Sequence, residues 1–152
     1  MPDDPSPQGW ERVTGHVFRE RMEGTGHMGL NVSHNAWRGA YTAFHRFRMA
    51  ICDATGGRFD EKERMWWFGE GYDSETHPGL FEFLGHSDCD GEISPELAGK
   101  LSDEMELLLP ELEVFGDGDG HISSQGGYAA VARKWIAGCR AACAAGESLT
   151  FC

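Results

Sequence analysis

The sequence predicts an α+β fold, a helix-rich single domain with three main helices and a small sheet. Three observations predict it. Apolar residues recur at helical spacing in three long segments, and short alternating segments stand near residue 30 and at the C-terminus. The 152 residues suffice to bury one core without disulfide or metal staples. Residues 1–9, MPDDPSPQG, are acidic and proline-rich and are expected to form a disordered tail, which leaves residues 10–152 as the globular domain.

Residues 28–34, MGLNVSH, alternate apolar and polar side chains through Met28, Leu30 and Val32, the period of a half-buried strand. A helix is expected from Ala36 to about Ala54, with Trp37, Tyr41, Phe44, Ile51 and Cys52 on one face and the TGG at 55–57 as its stop. Arg48 falls on that apolar face. Its guanidinium either snorkels past the aromatic rings to water or meets a carboxylate, because burying an unpaired charge is costly. GGRFDEKER is expected to be a polar loop, and MWWFGEGY (65–72) a second strand or core-lining segment. If it is a strand, Trp66 and Trp67 point opposite ways, and cover from within the molecule is the commoner solution.

HPGLFEFLGH suits a short helix carrying Leu80, Phe81 and Leu84. A longer one starts after Ser94, an N-cap residue followed by Pro95 at the first helical position, and continues through Leu97, Leu101, Met105, Leu108 and Leu112. Pro110 is expected to kink or end it. The last helix spans roughly Tyr128 to Ala145, with Val131, Trp135, Cys139 and Ala142 on one face and Gly146 as its stop. In the closing ESLTFC, Leu149 and Phe151 alternate, so a terminal strand pairing with residues 28–33 is expected.

The formal charge of −12 disfavours nucleic acid, whose sequence-independent binding needs lysine and arginine to displace counterions. The same charge attracts cations or a basic protein surface, and it also serves solubility. Five cysteines, an odd count without dense spacing, fit thiols in a reducing compartment. The acidic start is unlike a signal peptide and no apolar run is long enough for a membrane span, so a cytoplasmic location without a membrane partner is expected.

The chemistry concentrates in GHSDCDGEISPE, residues 85–96. Asp88 and Asp90, two apart around a tight turn, can converge on one cation, and the nitrogen of His86 suits zinc or manganese better than calcium. The plain alternative is a well-made turn whose carboxylates satisfy backbone amides at the next helix N-terminus. Between its two helices this loop resembles the calcium loop of the EF-hand family over residues 86–97. With Gly91 at the turn glycine, the resemblance implies Asp88 and Asp90 as carboxylate ligands, Glu92 through its carbonyl, and Ser94 through water. A second copy at 115–126, containing DGDGHIS, implies Asp117 and Asp119 as ligands. The sequence departs from the family at the first ligand position, His86, and at the final bidentate glutamate, where Leu97 stands; Phe115 and Gly126 occupy those places in the second copy.

His86, Asp88, Asp90 and Ser94 also resemble the HxDxDGxxS motif of DHH-type phosphoesterases, which implies metal-activated water attacking a phosphate ester, although no Asp-His-His run accompanies it. GLNVSH, AFHRFR, FLGHSDCDGEISPE and LTF together resemble small bacterial and phage proteins over residues 28–152, a resemblance that implies no activity. His34, Tyr41 and Arg48 are the expected ligand-binding residues, with His34 and Arg48 facing the same cleft as Asp88 and Asp90, since sites gather at loops and element ends. Cys89 beside His86 is expected to be an inert thiol, and Cys139 and Cys143 to serve close packing.

The leading functional reading is binding of a divalent cation (calcium, zinc or manganese) or a small polar ligand at His86–Ser94. Its rivals are a metal-dependent hydrolase using Asp88 and Asp90, and an acidic interaction or inhibitor module for a basic protein partner.

Overall fold

The structure, a computed structural model, describes residues 29–152. The expectations for the tail at 1–9 and for Met28 lie outside the described residues. In chain order the elements are β1 (Gly29–Val32), β2 (Trp37–Ala40), α1 (Tyr41–Ala54), β3 (Arg58–Asp60), β4 (Met65–Trp67), α2 (Pro78–Gly85), β5 (Glu92–Ile93), α3 (Pro95–Glu106), α4 (Leu109–Phe115), α5 (Gly120–Ser124), α6 (Tyr128–Ala145) and β6 (Leu149–Thr150). The fold is a helix-rich α+β domain with small antiparallel pairings β1–β2, β3–β4 and β5–β6. Among the described residues no helix is long and apolar enough to cross a membrane.

The first helix begins at Tyr41, not at Ala36. His34 and Asn35 both adopt positive φ, at 60° and 59°, and the Ala36 N–H bonds the Ser33 carbonyl, which makes a two-residue hairpin turn matched to strand twist. Trp37 therefore lies in β2 opposite Val32, yet it keeps its place in the core at 3% exposure. The stretch GGRFDEKER also holds a strand, β3, which pairs with β4. Its turn is closed by the Asp60 carboxylate, which accepts the amides of Lys62 and Glu63. Trp66 and Trp67 are both buried.

The other boundaries follow local chemistry. The Ser94 hydroxyl accepts the Leu97 N–H at 3.2 Å and starts α3. That helix ends at Glu106, and after two intervening residues α4 begins at Leu109 with Pro110 in its first turn. Gly146, in the left-handed region at φ 68°, caps α6.

Trp135 of α6 is fully buried among Trp37, Phe44, Phe47, Phe83 and Phe151. The C-terminal strand lies between the hairpin and β5. Asn31 and Cys152 exchange both main-chain hydrogen bonds at 2.9 Å, the Ser33 N–H bonds the Thr150 carbonyl, and on the other side Ile93 pairs with Leu149. The expected pairing of ESLTFC with residues 28–33 is present.

Candidate functional site

Helix α2 ends at Gly85, and His86 leaves it in an extended conformation. The last carbonyls of a helix lack intrahelical donors and carry the negative end of its dipole. Here a buried cation meets them. Nη1 of Arg48, projecting from α1, donates to the carbonyls of Phe83 at 3.0 Å, Leu84 at 3.1 Å and His86 at 2.8 Å. The guanidinium carbon stands 4.4 Å from the centre of the Phe44 ring. At 1% exposure Arg48 does not snorkel to water, and its hydrogen-bond acceptors are the three carbonyls at the end of α2. Burial pulls its pKa down to about 10, and the negative charge of buried Asp88 works against that fall, so the guanidinium stays protonated at neutral pH.

The next residues are tied in turn. Nδ1 of His86 lies 2.8 Å from the Ser87 carbonyl and Nε2 lies 3.2 Å from the Glu92 carbonyl. Its ring packs on Phe151 at 4.1 Å between centroids. The Ser87 hydroxyl accepts the Cys89 N–H, and the carbonyl of Gly91, at φ 94°, accepts the Phe151 N–H. Glu92 pairs through its main chain with Thr150, while the hydroxyl of Ser94 caps α3. Asp90 and Glu92 are exposed.

The structure brings together Arg48, His86 and Asp88 at the end of α2. His34 is placed elsewhere: its Nε2 lies 2.8 Å from Glu147 after α6, and its Nδ1 lies 2.7 Å from the Ser33 hydroxyl. Tyr41, half-buried, opens α1 two turns before Arg48. Asp117 and Asp119 are exposed before α5, and Asp119 lies 3.5 Å from Arg46. Among the described residues no trio of His, Cys, Asp or Glu is placed to hold a metal ion. Of the set that the EF-hand resemblance implies, the Glu92 carbonyl and the Ser94 hydroxyl already have partners inside the fold.

Burial pushes the thiols of Cys52 and Cys139 up to about 12, which keeps them protonated and poorly nucleophilic at neutral pH. Cys143, one turn beyond Cys139, is exposed.

One residue at the other end of α2 had no signal in the sequence. The Glu104 carboxylate of α3 accepts the N–H groups of Gly79 at 3.2 Å and Leu80 at 2.8 Å, because His77 supplies no side-chain cap. An anion at its N-terminus and a cation at its C-terminus thus clamp α2 in the sense its dipole favours. The stretches GLNVSH, AFHRFR, FLGHSDCDGEISPE and LTF prove contiguous, joined through Ser33 to Thr150, Arg48 to His86, and Gly91 to Phe151. No family model, no curated protein and no solved structure matches the chain.

Proposed function

We propose that the protein is an acidic interaction module for a basic protein partner, in which the 86–94 loop serves chiefly to hold the fold together. One observation carries this reading. From Leu101 to Ala132 the chain contains Asp103, Glu104, Glu106, Glu111, Glu113, Asp117 and Asp119 and neither lysine nor arginine, and the same stretch presents Leu107, Val114 and Phe115 to solvent. Arg133 pairs with Glu113, and Arg140 with Asp103 and Glu106, which leaves an acidic excess around exposed apolar side chains. Such a surface steers and retains a partner that offers lysine or arginine beside apolar residues.

The test is calorimetric titration of the full chain with a short amphipathic peptide of leucine and lysine, at low and high salt, beside its leucine–glutamate counterpart. The expected result is binding of the lysine peptide alone, weakened by salt. Absence of binding, or equal binding of both peptides, contradicts the reading.

A second reading, a divalent cation or small polar ligand at His86–Ser94, is favoured by Asp90 and Glu92, exposed on either side of the Gly91 turn. Calcium, manganese or zinc would there complete its shell largely with water. A hydrolase built on Asp88 and Asp90 would further require that ion to activate a water molecule.

A further inference from the structure

We infer that the cleft between α1, the end of α4 and the start of α6 receives a lysine or arginine side chain of a protein partner; this deepens the interaction reading and rests on it. The cleft, of about 280 Å³, is lined by Met49 and Ala50 of α1, Phe115 of α4 and Tyr128 of α6, with Arg46 and Asp53 also on its walls. Phe115 and Tyr128 stand nearly perpendicular, at 87° with centroids 6.4 Å apart, and offer two aromatic walls to a cation.

Asp53 supplies the anion. It sits in the last turn of α1, where the helix dipole disfavours negative charge and where no basic residue compensates it. Its carboxylate makes no hydrogen bond or ion pair among the described residues, and desolvation raises its pKa. The nearby cation, Arg46, pairs with Asp119 at 3.5 Å. A carboxylate at the wrong end of a helix, beside two aromatic rings and an aliphatic floor, is complementary to a long basic side chain. Its stem packs on Met49 and Ala50, and its charged head meets Asp53 and the rings.

The leucine–lysine peptide is the probe, titrated into the intact chain and into Asp53→Asn, Phe115→Ser and Glu96→Gln. The last removes the same charge as Asp53→Asn at the far end of α3 from the α4 junction. The dissociation constant is expected to rise about tenfold for each of the first two variants and to stay unchanged for Glu96→Gln, with both variants still unfolding cooperatively and the thermal midpoint of Asp53→Asn no lower than that of the parent. Binding that is salt-sensitive but equal in all three variants overturns the cleft and leaves the interaction reading standing. No binding by the parent chain overturns both. Self-association abolished by Phe115→Ser, without peptide binding, places a second copy in the cleft and equally overturns the proposal.

Discussion

Arg48 shows how one side chain joins sequence to fold. Its position on an apolar helical face announced burial and the need for acceptors. The identity of those acceptors was not legible, because the carbonyls that end a helix carry no side-chain signature and α2 lies some thirty residues away. Arg48→Met should cost about 3–5 kcal/mol in urea denaturation, since it strands three carbonyls and removes the positive charge that faces buried Asp88. Adding Asp88→Asn should recover part of that loss, a non-additivity that two independent sites would not show.

His45, one residue after Phe44, makes edge contacts with Phe59 and Trp66. Burial, with help from the charges of Arg48 and Arg64, lowers its pKa from 6.5 to about 4. Between those values the unfolded chain binds more protons than the folded one. The associated stability is therefore complete above pH 6.5 and is lost as pH falls towards 4. With allowance for its partial exposure the loss should be about 1–2 kcal/mol. Urea midpoints measured from pH 7 to 4 in the parent and in His45→Gln check this, the variant being flatter.

At the scale of elements, what the sequence showed was what local chemistry decides. Ser94, Pro95, Pro110 and Gly146 stand where α3, α4 and α6 start or stop, because caps and breakers act within one turn. The strands β2 and β3 were missed for a physical reason. Trp37 suits an aromatic core face in either a helix or a strand, and three-residue β3 takes its stability from β4 and from the aromatic contact of Phe59 with Trp66. The clamp on α2 belongs to this scale as well. Glu104→Ala should destabilise the protein by about 1 kcal/mol, as loss of an N-terminal cap does, and should speed amide exchange at Gly79 and Leu80 before it does so elsewhere.

Over the whole molecule, a formal charge of −12 was plain in the sequence, but its concentration around exposed Leu107, Val114 and Phe115 required the fold. So did the convergence of four separate stretches on the C-terminal strand, since only three-dimensional pairing puts residues 29–33, 91–93 and 149–152 side by side. The acidic loop drew attention because its residue types suit a cation. Folding assigns many of its polar groups to internal partners: His86 to the Ser87 or the Glu92 carbonyl according to its tautomer, Ser87 to Cys89, Ser94 to Leu97, and Asp88 to the neighbourhood of Arg48. The most direct measurement is the thermal midpoint of the intact chain in EDTA and in excess calcium, manganese or zinc. A loop committed to holding the fold predicts one midpoint in all four conditions. A rise of several degrees with one ion, absent in Asp90→Asn, would contradict that account.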